Sequence, residues 1–211
     1  MVTTIELLTM NAPPPQSRRL FEMPYLMTGP VDFQLGNAEQ NADEVARLTA
    51  QPHEVIEHEG PFLLGHSVID GEGEYFLINT TSNRLVYYSQ YDETDFGDLG
   101  IVAAECVIWR QAGSGYPNIT RKVFMGLMMD RYGTIISDSR HSADGQRFWV
   151  DRMAEARQHG WTVGLLTDDA FEAIREGEDL QEWLTAVDGW GSSSEYEGKR
   201  FLITKHAYDE G

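Results

Sequence analysis

The sequence predicts an α/β (α+β) fold, and three observations carry that prediction. Between residues 62 and 90, three apolar runs are separated by two clusters of turn residues. A fourth run, 101–109, is almost unbroken in apolar side chains, and from Asn118 onward the apolar spacing lengthens from strand-like to helical.

The runs 62–69, 75–80 and 85–91 are joined by Asp70-Gly-Glu-Gly73 and Thr81-Ser-Asn83, whose glycines and asparagine accept positive φ. They read as an antiparallel meander. Ile101-Val-Ala-Ala-Glu-Cys-Val-Ile-Trp109 is the pattern of a central strand covered on both faces, interrupted only by Glu105. Val123/Leu127 and Phe124/Met128 are i,i+4 pairs on a helix that Gly133 ends. A strand over 134–137 follows. Ser142 then caps a helix carrying Phe148, Trp149, Met153 and Ala156, which stops at His159-Gly160. Residues 161–167 read as strand and 201–204 as a last short strand, with a loop over 189–198 between.

The segment 168–182 holds seven acidic residues and one arginine. Phe171/Ile174 and Leu180/Trp183/Leu184 recur at helical spacing, so it reads as an acidic amphipathic helical insert extending to about 188. Seven of the eight prolines fall at or before Pro61. Residues 1–60 therefore read as an extended N-terminal arm with little regular structure, apart from a short helix suggested by Val45 and Leu48, and residues 61–211 as the folded domain.

Composition excludes several classes. With 211 residues and 41% hydrophobic side chains the chain can bury a sizeable core. One cysteine, Cys106, allows no internal disulfide and no cysteine-based zinc site, which fits a reducing compartment. No apolar stretch is long enough to predict a membrane span, and the N-terminus lacks a basic signal-peptide region. Thirty-four acidic against sixteen basic residues give a net charge of −18, which opposes phosphate binding, so no nucleic-acid partner is expected. The same charge leaves open an acidic mimic of DNA. His53-Glu-Val-Ile-Glu-His58 has the wrong histidine spacing for one helical face, and no metal site is expected there.

Three local patterns carry chemistry. Arg110-Gln-Ala-Gly113-Ser-Gly115 follows the long strand. Its glycines permit close backbone approach to a pyrophosphate, and the helix after Pro117 brings N–H groups with Arg121 and Lys122; the bland alternative is a plain turn. Ser142-x-x-Gly145-x-x-Phe148-Trp149 precedes Gly160-Trp161, and its simplest reading is core, since Trp149, Met153 and Ala156 share one helix face. Glu105 has two readings: a buried carboxylate with a raised pKa suited to a general base, or a group turned outward or paired with lysine. Asp138 ends its strand, where open sheets gather ligands.

Element order and these motifs resemble the GNAT family of acyl-CoA N-acyltransferases over about residues 60–206. That family's sheet has an antiparallel half, a long fourth strand, then helix, strand, helix, strand, strand. The resemblance implies an acetyl-CoA-dependent N-acetyltransferase. Val107 and Trp109 main chain would hold the thioester, and Arg110, Gly113, Gly115, Arg121 and Lys122 the pyrophosphate. Glu105 would be the proton acceptor and Asp138 a substrate contact. Two departures stand out: Tyr116-Pro-Asn118 separates the glycines from the helix, and Trp149 replaces the tyrosine that often protonates the leaving thiolate. Arg121-Lys-Val-Phe, Ile135-Ile-Ser-Asp-Ser139 and Asp144-Gly-x-x-Phe-Trp149 are similar to GNAT-like proteins of tailed bacteriophages. That narrower likeness implies action in an infected bacterial cytoplasm or in the virion, with a host or virion protein as partner. It also admits a degenerate fold that binds without turnover.

Overall fold

In a computed structural model of the protein, residues 34–111, 113–138, 143–167, 171–190 and 199–206 are described, apart from the side chains of Gln34, Asp98, Glu105, Ala143 and Asp144. The expected N-terminal cap Ser142, residues 1–33 of the expected arm, and the start of the acidic insert lie outside them. The fold is mixed α/β. Among the described residues nine strands form one mostly antiparallel sheet: β1 (Glu54–Glu59), β2 (Phe62–Ile69), β3 (Glu72–Asn79), β4 (Arg84–Asp95), β5 (Ile101–Arg110), β6 (Thr134–Ile136), β7 (Thr162–Leu166), β8 (Phe171–Ala173) and β9 (Arg200–Thr204). Their order across the sheet is β1-β2-β3-β4-β5-β6-β9-β7-β8.

The meander forms where expected. Asp70 (φ 53°) and Gly71 (φ 85°) make the β2–β3 turn, and Asn83 (φ 50°) closes the β3–β4 turn, each in the left-handed region that these residue types tolerate. Alternation along β3 then divides the core. Tyr75 and Leu77 join one buried cluster, whereas Phe76 and Ile78 join another on the opposite face.

The second face is covered by helix α1 (Ala38–Ala50), which contributes Val45 and Leu48. Within the span read as arm, residues 34–59 thus carry a 3-10 turn, this helix and the edge strand β1. Buried Asn41 fastens α1 to the sheet: its Nδ2 donates to the carbonyls of Leu35 (2.8 Å) and Leu85 (2.9 Å), and its Oδ1 accepts from the Leu85 N–H (2.9 Å). Asn37 caps the helix, accepting from the Glu39 N–H at 2.9 Å. Asn37→Ala is expected to cost about 1 kcal/mol, read by urea denaturation, with little change in the denaturant slope.

On the first face, three continuous segments follow β5: α2 (Ile119–Arg121), a π-helical stretch (Lys122–Met128) and α3 (Met129–Tyr132). Gly133 (φ 67°) ends them. Helix α4 (Ala143–Gln158) packs beside them, with Trp149, Met153 and Ala156 buried together as their spacing predicts. The Trp149 ring meets Phe124 edge-on at 5.2 Å.

The insert differs from expectation. Residues 171–173 are strand β8 rather than helix, and among the described residues of the insert only α5 (Leu180–Ala186) is helical, capped by Asp179. β8 pairs with β7 at Gly164, where an added Cβ would fall 2.3 Å from the Phe171 ring. The helical spacing of Phe171 and Ile174 is a coincidence that tertiary pairing overrides.

Candidate functional site

The sheet changes character at β5. Its pairing with β4 runs Gln90↔Val107 and then Asp92↔Ala104, so Glu105 and Cys106 together stand against Tyr91 in a bulge. A bulge bends a strand and breaks its ladder, which is why bulges recur beside active sites. On its other side β5 meets β6 in parallel through a single pair, Ala103↔Ile135. β6 ends at Ile136, so β5 from the bulge to Arg110 runs on without a strand neighbour on that side among the described residues. Ligands of open sheets collect at the carboxyl ends of such parallel strands.

The candidate residues distribute around this end. Val107, Trp109 and Arg110 lie on the stretch of β5 beyond the bulge, Arg110 exposed and Trp109 buried in the α1-side core. Asp138 follows β6, at its carboxyl end. Cys106 is buried in the core, whereas the side chain of Glu105 lies outside the described residues. Gly113 (φ 68°) and Gly115 (φ 80°) both adopt the left-handed conformation that glycine accepts without strain. Nothing lies within 4 Å of where a Cβ on Gly113 would be, so its backbone is open to close approach. Asn118, also left-handed (φ 57°), turns the chain into α2.

Two of the three cations expected at the pyrophosphate are committed elsewhere. Arg121 Nε donates to Glu155 Oε1 on α4 at 2.5 Å, and Lys122 Nζ is paired with Glu57 Oε2 on β1. Tyr116 Oη also donates to Glu57 (3.1 Å), accepts from Lys122 (3.0 Å) and sets its ring edge-on to Phe62. Tyr116 thereby clamps the glycine turn onto the β1–β2 edge. The hydrogen bond from Lys122 leads in holding the Glu57 carboxyl below the usual carboxylate range. Burial pulls the Lys122 ammonium down, but its bonds to Glu57 and Tyr116 outweigh that and leave it raised. Sequence spacing could not reveal either pairing, because the acids lie 34 and 65 residues away.

Other groups do not converge here. An open groove of about 890 Å³, lined by Arg157, Gly160, Trp161, Ile174, Arg175 and Gly177, lies at the start of β7, the opposite end of the sheet, and contains none of the candidate residues. His53 Nδ1 contacts the carbonyl of Gln51 at 2.9 Å, and its ring packs edge-on against Phe76. Among the described residues no group of three or more His, Cys, Asp or Glu is placed to hold a metal ion, and no helix is long and apolar enough to cross a membrane.

A polar set that no sequence motif announces lies beneath α3. His66 Nε2 is 2.7 Å from Tyr91 Oη, which is 2.7 Å from Tyr132 Oη, which donates to Glu93 Oε1 at 2.7 Å. Its members come from β2, β4 and α3, so they share no local pattern. The only trace in the sequence is Gly73 inside a strand, where an added Cβ would fall 2.0 Å from the Tyr91 ring. Compared with protein families, with curated proteins and with solved structures, the chain matches none.

Proposed function

We propose that the protein is an acyl-CoA-dependent N-acyltransferase of the GNAT type, transferring an acetyl group from acetyl-CoA to an amine. The observation that carries this reading is the form of β5: bulged at Glu105–Cys106, joined to parallel β6 by one residue pair, and followed by a left-handed glycine turn into a helix. The order of elements from β2 supports it too, with β8 as an addition. Main-chain groups at Val107 and Trp109 would receive the amide-bearing arm and thioester, much as a strand edge receives another strand. The backbone at Gly113 and Gly115 would meet the pyrophosphate, with Arg110 as the exposed cation nearest in sequence.

Chemistry at such a site is direct. The deprotonated amine attacks the thioester carbonyl, strand N–H groups stabilise the oxyanion, and the carbon–sulfur bond breaks as the amide forms. Glu105 is the candidate acceptor for the amine proton. Trp149 packs in the core at 3% exposure, so the thiolate leaves without help from the position where the family often has tyrosine.

That same observation, with Arg121 and Lys122 tied to Glu155 and Glu57, favours a second reading: a phage protein of this fold that binds a host or virion partner without turnover. Calorimetry with acetyl-CoA separates the two. Micromolar binding, weakened at least tenfold by Gly113→Glu and by Arg110→Ala but retained in Gly113→Asn, which tolerates the same backbone, is the result expected of a cofactor site. No heat at millimolar acetyl-CoA removes the acyltransferase reading. Binding without acetylation of any amine in a mixed panel favours the second.

A further inference from the structure

We propose that His66, Tyr91, Tyr132 and Glu93 form a directional proton wire, in which His66 is a buried base and Glu93 its exit to solvent. This inference is independent of the acyltransferase reading. The direction follows from donor arithmetic. A carboxylate only accepts, so Tyr132 spends its one hydroxyl proton on Glu93 (2.7 Å). Tyr91 must then be the donor in the Tyr91–Tyr132 contact (2.7 Å), and with its proton committed it can only accept from His66 (2.7 Å). His66 is thereby fixed with its proton on Nε2.

The surroundings suit this role. His66, Tyr91 and Tyr132 are buried, while Glu93 is half-buried and reaches the surface. Tyr75 stacks on the imidazole at 4.2 Å, and Tyr91 lies parallel to it at 6.3 Å, so the ring is held in plane. The charged groups facing the cluster are Arg131 from α3, whose guanidinium lies 5.7 Å over the Tyr132 ring, Glu54 opposite His66 on β1, and Glu93. Burial and then Arg131 push the imidazole down to about 4, so at neutral pH it carries a single proton.

One passage balances with a proton supplied at Nδ1 of His66 and water as its acceptor at Glu93. A proton arriving at Nδ1 of His66 is matched by cleavage of its Nε2–H bond as a new O–H forms on Tyr91. Tyr91 passes its former proton to Tyr132, and Tyr132 passes its own to Glu93, which releases it to water. The starting polarity is restored by the reverse passage, in which Glu93 takes a proton from water, Tyr132 and Tyr91 each hand one inward, Nε2 regains its own and Nδ1 gives up the one it received.

The test is the tautomer of His66, read from nitrogen chemical shifts of labelled protein at neutral pH and assigned by the signal lost in His66→Gln. The wild type is expected to show the Nε2–H form. Tyr75 also bonds to Tyr91, so Tyr132→Phe and Glu93→Leu are made in a Tyr75→Phe background: there Tyr132→Phe does not touch the imidazole, yet it removes the remaining acceptor for the Tyr91 proton, which then turns to Nε2 and converts His66 to the Nδ1–H form. Glu93→Leu makes the same conversion from the surface end and serves if Tyr132→Phe does not fold. Tyr75→Phe keeps the stack and is expected to leave the tautomer unchanged. An Nδ1–H tautomer in the wild type, or no change in whichever of the two variants folds, overturns the wire.

Discussion

Glu74→Ala is expected to destabilise the protein by about 2–4 kcal/mol, because it takes one of two carboxylates from a part-buried cation and the short acceptor from a buried hydroxyl. Glu74 is 8% exposed in the middle of β3. Its carboxylate accepts from Arg47 at both oxygens (2.5 and 3.1 Å), from Tyr88 Oη (2.5 Å) and from Gln51 Nε2 (2.7 Å). Arg47 and Gln51 belong to α1 and its C-terminal cap, so this one carboxylate joins helix to sheet. Burial alone would raise the Glu74 pKa, but the hydrogen bonds from Arg47 and Tyr88 outweigh it, and the group is held below its ordinary value. Removing it leaves Arg47 beside Glu44 alone among carboxylates, and leaves Tyr88 Oη with only a 3.4 Å contact to Gln90. Urea denaturation measures the loss. A second variant, Glu74→Met with Arg47→Met, is expected to recover most of it, since an apolar pair avoids the unpaired charge. A cost below about 1 kcal/mol for Glu74→Ala would falsify the view that α1 is held by this network.

Contacts of this kind lie beyond what a sequence pattern can show. The meander, the long strand and the helix face of Trp149, Met153 and Ala156 were legible because each rests on local period or on turn residues such as Asp70, Gly71 and Asn83. Of residues 34–59 only the short helix marked by Val45 and Leu48 was, because what binds this stretch to the domain is polar and distant: Asn41 to Leu85, and Arg47 to Glu74. β1 reads Glu-Val-Ile-Glu-His-Glu, an edge strand with charge where a buried strand would show alternation. Gly164 was the overlooked sign of β8, since its missing side chain is the space that Phe171 fills. At the candidate site the glycine turn was visible and its backbone conformation follows from residue type. The ion pairs that occupy Arg121 and Lys122 depend on the packing of β1 and α4 and left no mark at those positions. The π-helical geometry of Lys122–Met128 was equally silent, as its i,i+4 apolar pairs suit an ordinary α-helix.

Acid is expected to weaken the fold in a step that belongs to His66. The imidazole falls from an ordinary value of 6.5 to about 4 in the folded protein, by burial first and by Arg131 second. Between those values the unfolded chain binds a proton that the folded chain does not, so stability is full above about pH 6.5 and declines as pH falls towards 4. At about 1.4 kcal/mol per decade the loss is about 2 kcal/mol between pH 7 and pH 5, and about 3 kcal/mol by pH 4. Glu74 adds a separate loss at lower pH, since a depressed carboxyl gives up its contribution as pH drops through the carboxylate range. An opposing term comes from the net charge of −18, whose self-repulsion relaxes as carboxylates take up protons. Comparison with His66→Gln removes that term, because both proteins share it, and glutamine preserves a donor towards Tyr91. The wild type is expected to lose about 2 kcal/mol more than the variant on going from pH 7 to pH 5, measured by urea denaturation at each pH. Parallel curves for the two proteins would mean that the buried imidazole titrates alike in the folded and unfolded chain, and that the packing around Tyr75, Tyr91 and Arg131 does not exclude the charged form.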